Sequence, residues 1–275
     1  MAVLFFWFVV LIITGALSIL FNVFALSPVV MILSIIGLLL SAFMITFVLT
    51  ILLLWLYGFR FNDENPKDLR KQRFINGILR LALHVMRTKI IITGENHIPK
   101  TGKPFVFMSN HQEIYDIIAI KPALAPHPLT FIAKEAAFKW PIIGRWLRIA
   151  GHVPISKMAD RSAAESIIKG INHIKNGVPM AIFPEGQRSY KNELLPFKAG
   201  AFKLASKPKA DILVATLYDF CKVFKGWPLK RRRIYIHFHP IITYDTYQTM
   251  KTQAISNHVY TMIQAQLERF KEKLA

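Results

Sequence analysis

The chain has 275 residues, with 35 Lys or Arg against 16 Asp or Glu, a formal charge of +19 and one cysteine. That length suffices for one well-cored domain with an appendage. A lone cysteine, Cys221, excludes an intrachain disulfide and suits a reducing compartment, and the charge calls for an anionic partner, nucleic acid or lipid.

Residues 1–59 contain no Asp, Glu, Lys, Arg or His, so all the charge lies from Arg60 onward. A spanning helix needs about 20 apolar residues, and this stretch is long enough for two. Asn22, Ser27 and Pro28 supply a break, because Pro does not continue a helix interior. The pattern predicts membrane helices over roughly 2–25 and 29–57, either crossing fully or forming a shallower hairpin. Trp7, Trp55 and Tyr57 fall near their ends, where interfacial aromatics belong. A cleaved signal peptide fits poorly, since there is no basic n-region and no small-residue cleavage site. Arg60, Lys67, Arg70, Lys71 and Arg73 crowd the flank of the second helix. Basic flanks stay on the cytoplasmic side, so the rest of the chain is expected at the cytoplasmic face of the cell membrane. A basic domain tethered to a bilayer meets anionic headgroups first, which favours lipid over nucleic acid.

Residues 62–66, Asn-Asp-Glu-Asn-Pro, read as a turn-forming linker. Residues 67–87 read as an amphipathic helix. Its apolar face would hold Phe74, Ile75, Ile78, Leu79, Leu81, Ala82 and Val85, and its polar face Lys71, Arg73, Arg80 and Arg87. It could pack on the following domain or lie in the membrane interface.

From Thr88 short apolar runs alternate with helical segments. Strands are expected at 89–93, 105–108, 130–133, 152–155, 180–183, 212–216 and 234–239. The clearest helix spans 160–176, with Asp160 as N-cap, a stripe of Ala164, Ile167, Ile168, Ile171 and Ile174, and Gly177 as the stop. A last helical segment covers about 247–274. The alternation predicts an α/β fold with a mixed, largely parallel sheet covered by helices. The expected division is 1–59 anchoring helices, 60–87 linker and amphipathic helix, and 88–275 catalytic domain.

Two polar clusters follow apolar runs. Asn110-His111-Gln112-Glu113-Ile114-Tyr115-Asp116 comes after Phe105–Met108. Phe183-Pro184-Glu185-Gly186-Gln187-Arg188-Ser189 starts at the end of the apolar run Met180–Phe183. Polar clusters at strand ends are where α/β proteins build sites. Positions five apart do not share a helix face, but a strand end turning into a helix can join His111 to Asp116. Asp116 would then hold one imidazole nitrogen and leave the other as a general base. No Gly-x-Ser-x-Gly elbow occurs, which favours activation of a substrate hydroxyl over an enzyme nucleophile. Asn110 would order the turn. Arg188 suits bidentate recognition of phosphate, with Gly186 allowing close backbone approach and Glu185 orienting Arg188 or accepting from a hydroxyl. By itself each cluster is also compatible with a structural capping histidine or a surface ion pair. Lys230-Arg231-Arg232-Arg233 reads as a solvated, lipid-facing cluster, and His237 and His239 as histidines sharing one strand face. No Cys/His spacing of a zinc site occurs, and Cys221 has no nucleophile signature around it.

In their order, these blocks resemble the 1-acyl-sn-glycerol-3-phosphate acyltransferase family, of the bacterial membrane-anchored type. The likeness runs from about Lys89 to Tyr244. Gly94-Glu95-Asn96-His97-Ile98-Pro99 is similar to the family's entry strand and turn, and Asn110-His111 with Asp116 to its catalytic block. Lys134-Glu135, Phe138, Pro141, Gly144, Arg148, Gly151, Pro154 and Ile155 resemble the second block, and Phe183-Pro184-Glu185-Gly186 with Arg188-Ser189 the third. The chain departs from the pattern at Glu113, where Ser is common, at Gln187, where Thr is usual, and at Lys157, near a usual Arg. Ala215-Thr216 follow Val214 where a Pro is normal.

The resemblance implies a glycerol-3-phosphate acyltransferase-like fold and acyl transfer to the free sn-2 hydroxyl of lysophosphatidic acid. The donor would be acyl-CoA or acyl-acyl carrier protein, with no cofactor and no metal. Other lyso-lipids, glycerol 3-phosphate, or a non-enzymatic anionic-lipid binder are the alternatives. His111 and Asp116 would be catalytic; Asn110, Lys134, Glu185, Gly186, Arg188 and Ser189 would bind substrate. Membrane lipids, lysophosphatidic acid and the acyl donor are the expected partners, and nucleic acid is not.

Overall fold

A computed structural model describes residues 2–61, 65–100, 102–125, 127–156, 161–225 and 230–274, with Arg161 by its backbone alone. The linker residues 62–64, Asp160 and Lys157 lie outside the described residues. The chain divides into two compact units, Met1–Asp63 and Glu64–Ala275.

The first unit is a helical hairpin. Helix α1 (Ala2–Leu20) ends before Asn22, whose left-handed backbone (φ 47°) breaks the helix. A short 3₁₀ turn at Val23–Ala25 follows, so the first helix stops short of residue 25. Helix α2 (Pro28–Gly58) starts with Pro28 in its first turn, where the missing N–H has no partner to lose. Both helices are long and apolar enough to cross a membrane. They pack through Phe6 against Phe43, with ring centroids 5.6 Å apart. Large apolar side chains such as Phe8, Leu11, Leu33, Ile36, Leu40 and Val48 stay exposed, where a water-soluble hairpin would carry polar residues.

The second unit is built on a seven-stranded sheet. Its elements in chain order are α3 (Leu69–Val85), β1 (Thr88–Thr93), β2 (Phe105–Ser109), α4 (Tyr115–Ala123), β3 (Thr130–Lys134), α5 (Glu135–Phe138), α6 (Pro141–Ile149), β4 (Val153–Ile155), α7 (Arg161–Lys175), β5 (Met180–Ile182), α8 (Lys203–Ser206), β6 (Asp211–Tyr218), β7 (Arg232–Phe238), α9 (Tyr244–Tyr247) and α10 (Thr252–Leu274). All the runs expected as strands form strands. The order is β1-β7-β6-β2-β5-β3-β4, parallel throughout except between β6 and β7. The sheet is therefore mixed and largely parallel, and β2, β3, β4, β5 and β6 end at the same edge.

The period of two in each strand sends alternate side chains to two cores. Val106, Met108, Ile212 and Val214 face one side, under Ile255, Val259, Ile263 and Leu267 of α10. Phe105, Phe107, Leu213 and Ala215 face the other, under Tyr115, Ala119 and Ile120 of α4. With both faces covered, β6 is buried along its whole length, as a central strand of such a sheet should be.

Two helical stripes differ from expectation. In α7 Ala164 and Ile168 are exposed, while Ser166 and Gly170 are buried. Gly170 lies so near α8 that a Cβ there would meet Leu204 Cδ1 at 2.7 Å, so the close approach of α8 shifts the stripe by one residue. In α3 Lys71, expected on the polar face, is fully buried, as are Gln72 and Asn76. Gln72 is buried because α3 packs against α4, where its Oε1 accepts from Lys121 Nζ at 2.7 Å.

Candidate active site

The C-terminal ends of β2, β5 and β6 sit side by side, and their loops converge on His111. Ser109 ends β2, and α4 starts at Tyr115, which leaves a tight connection holding His111. Asp116, in the first turn of α4, closes that connection on itself. Its Oδ2 lies 2.8 Å from His111 Nδ1 and accepts the Gln112 N–H at 2.7 Å; Oδ1 accepts the Glu113 N–H at 3.0 Å. Asp116 is fully buried. Burial pushes its carboxyl above the ordinary value, opposed by His111 and the two N–H groups. Both backbone contacts are donors, which a carboxylate accepts and a protonated carboxyl satisfies less well. That set therefore favours the ionised form with the imidazole proton on Nδ1. Nε2 is left with its lone pair, and among the described residues it makes no hydrogen bond. The ring is stacked on Phe183, with centroids 4.0 Å apart and an interplanar angle of 10°.

The loop after β5 runs alongside. Ser189 N–H donates to His111 O at 2.8 Å and Tyr190 N–H to Gln112 O at 3.2 Å. Glu185 is buried, and its two oxygens accept the N–H groups of His111 (2.9 Å) and Leu195 (3.2 Å). Burial pushes its carboxyl up to about 7, against the pull of those two N–H groups. Gly186 has φ 69°, a left-handed backbone that calls for glycine, whereas the nearest neighbour of an added Cβ, Lys198 Nζ at 2.9 Å, is the end of a flexible side chain that can move aside.

Several expectations change here. Glu185 does not orient Arg188 or face a hydroxyl, because both its oxygens are taken by backbone. Arg188 pairs instead with Glu113, Nη1 to Oε2 at 3.4 Å, and lies over the Tyr190 ring at 4.9 Å. Asn110, expected among the substrate-binding residues, is fully buried, and its amide bonds the Leu217 N–H and C=O at 2.8 and 2.9 Å. It ties the His111 loop to β6 and has no free atom for a ligand. The Ser189 hydroxyl donates to Lys191 O at 2.9 Å. Lys134, at the end of β3, is exposed on the same edge of the sheet. Arg188 and Lys134 remain as cations open to a ligand.

Sequence reasoning missed a second tier. Gln112 is fully buried, donating to Asn192 Oδ1 (3.0 Å) and Leu217 O (2.9 Å) and accepting the Cys221 N–H at 3.3 Å. Asn192 also bonds both the Asp219 N–H (2.8 Å) and its carboxylate (2.7 Å). No sequence signal marks Asn192, which sits in a polar run that reads as surface loop. Cys221 is buried beside this network, and burial raises its thiol pKa. His237 and His239 share a face as expected, bonded to Thr93 and Thr216 at 2.8 Å each.

A carboxylate-held histidine at the carboxyl edge of a mixed α/β sheet is the arrangement of a general base, and the comparisons show what it resembles. Residues 89–218 match the family model described as Acyltransferase. Over that stretch, just under half of its length, the chain resembles the acyltransferase family. It is 33% identical over 146 residues to a 1-acyl-sn-glycerol-3-phosphate acyltransferase of Chlamydomonas reinhardtii, covering 53% of this chain and 43% of that one. It is 28% identical over 195 residues to the enzyme so named from Borreliella burgdorferi, covering 70% of this chain and 77% of that one. The chain thus spans less than half the length of the Chlamydomonas relative. A crystal structure of the 1-acyl-sn-glycerophosphate acyltransferase PlsC from Thermotoga maritima shares the fold, with a TM-score of 0.64 at 22% identity, over 79% of this chain and 87% of that one.

Proposed function

We propose that this chain transfers a fatty acyl group from acyl-CoA or acyl-acyl carrier protein to the free sn-2 hydroxyl of lysophosphatidic acid, yielding phosphatidic acid. The observation that carries the reading is the 2.8 Å contact of His111 Nδ1 with buried Asp116, on a loop bonded to the one bearing Arg188. His111 Nε2 takes the proton of the glycerol hydroxyl as its oxygen attacks the thioester carbonyl. The C–O bond forms, the tetrahedral intermediate collapses, and the C–S bond breaks. The leaving thiolate takes the proton back from the imidazolium, which restores His111. Asp116 stabilises the imidazolium between those steps. Arg188 holds the acceptor phosphate through its planar fork, and Lys134 adds positive charge on the same edge. Glu185 and Asn110 act by fixing the loops.

The relatives so named support the acceptor, and the two apolar helices support a membrane setting for it. The basic flank, Arg60, Lys67, Arg70 and Arg73, favours the cytoplasmic side of the cell membrane. Tethering keeps the site where the acceptor already resides and raises its effective concentration.

The test is transfer by the purified full-length protein from labelled acyl-CoA and acyl-acyl carrier protein to a panel of acceptors. The panel holds lysophosphatidic acid, glycerol 3-phosphate, lysophosphatidylcholine and monoacylglycerol. Preferential formation of phosphatidic acid is expected. Preference for another panel member would replace the acceptor, and no transfer to any would end the reading.

A further inference from the structure

The ion pair of Arg188 is loose, and its partner is held by something else. Nη1 lies 3.4 Å from Glu113 Oε2, with the Arg side chain 34% exposed and the Glu side chain 15%. The same Oε2 accepts the Ile114 N–H at 3.0 Å, and the Glu113 N–H is held by Asp116. Glu113 therefore keeps its place without Arg188, as part of the loop that carries His111. Arg188 makes no other hydrogen bond among the described residues, which leaves most of its N–H groups open to a ligand.

A phosphate monoester takes a guanidinium in bidentate fashion and so displaces a single long carboxylate contact. It does not displace the carboxylate itself, which is pinned by backbone. The bound phosphate then sits beside a fixed like charge. The product of the proposed reaction carries the same phosphate as the acceptor. Any grip on that group is uniform binding, which holds product as firmly as substrate and slows its departure.

We propose that Glu113 is a built-in competitor for Arg188, which loosens the site's hold on the phosphate monoester common to acceptor and product. The proposal rests on Arg188 being the phosphate's partner in the reading above.

The test uses the full-length protein in mixed micelles and compares Glu113→Gln, Glu113→Ser, Arg188→Ala and the double variant Glu113→Gln/Arg188→Ala. Glutamine retains an oxygen for the Ile114 N–H, so the His111 loop is preserved. Glu113→Gln is expected to lower the acceptor KM and the inhibition constant of phosphatidic acid together, by about two- to fivefold, the range of a partly exposed ion pair. The acyl-donor KM should stay unchanged, and the gain should vanish in the Arg188→Ala background. Glu113→Ser should lower the same two constants and serves if the glutamine variant fails to fold. Unchanged or raised acceptor KM in both Glu113 variants, with Arg188→Ala raising it, overturns the competitor role alone. A gain that persists without Arg188 does the same. If Arg188→Ala leaves the acceptor KM untouched, the phosphate reading falls and the competitor role with it.

Discussion

Asp116 grips His111 from two directions: its Oδ2 lies 2.8 Å from the ring Nδ1 and 2.7 Å from the N–H of the next residue, Gln112. One carboxylate thus fixes both the tautomer and the backbone that aims the ring. His111→Ala should lower kcat by about 10²–10⁴-fold, the usual worth of a general base. Asp116→Asn should be impaired in rate and in stability, because the amide NH₂ confronts donors. Initial rates at saturating substrates, with thermal melts of the same samples, check both. Near-normal turnover by folded His111→Ala would falsify the mechanism.

Glu185 makes stability depend on pH. Its carboxyl, ordinarily at 4.5, is pushed up to about 7 by burial. Between those values the folded chain holds the extra proton more often than the unfolded one, so this group's contribution falls as pH rises from 4.5 to about 7. Glu185→Gln should flatten that decline. Denaturant midpoints of both proteins across pH 4.5 to 7 are the measurement. Identical slopes would mean that the carboxyl is not strained by burial.

Gln112 and Asn192 join the loops after β2 and β5 to the end of β6. Asn192→Ala strips partners from Gln112 Nε2 and from the Asp219 N–H and leaves buried polar groups unpaired, at a cost of about 1–3 kcal/mol. Because the loop aims His111, kcat should fall while both KM values move little. A loss confined to stability, with kcat intact in the folded fraction, would mean the network holds the fold without aiming the base.

The orientation is open to a direct test. In intact cells, protease added outside should leave residues 65–275 uncut, since the basic flank after α2 favours the cytoplasmic side. Outside cleavage within that region would reverse the topology. Lys71 takes no part in any lipid-facing basic surface, because it is fully buried.

The strands and the His111–Asp116 pair were legible because local pattern determines them: a short continuous apolar run marks a strand covered on both faces, and a strand-turn-helix joins residues five apart. Partner choice within the site was not. Glu185 and Arg188 are neighbours in sequence, yet Glu185 turns to backbone and Arg188 to Glu113, 75 positions away. Nor does a helical wheel foresee a buried Lys71 or the exposed Ile168, which depend on what lies across the helix.

Lys121 reverses the sign of the pH effect. It is buried in α4, with Nζ donating to Gln72 Oε1 and Leu129 O at 2.7 Å each. Desolvation lowers its pKa from 10.5 to about 7. The titratable group near it is buried His152, whose own pKa is lowered by burial and then by Lys121, so it stays neutral and supplies no negative charge. Between pH 7 and 10.5 the unfolded chain therefore binds more protons than the folded one at this site. The contribution of Lys121 to stability rises with pH across that window. Lys121→Met should remove the rise, while Gln72 Oε1 and the Leu129 carbonyl lose a donor and the α3–α4 contact weakens. Denaturant unfolding of both proteins from pH 7 to 10.5 measures the difference in slope. Parallel curves would show that the ammonium stays charged in the folded chain, and that its two neutral acceptors suffice to hold that charge in the interior.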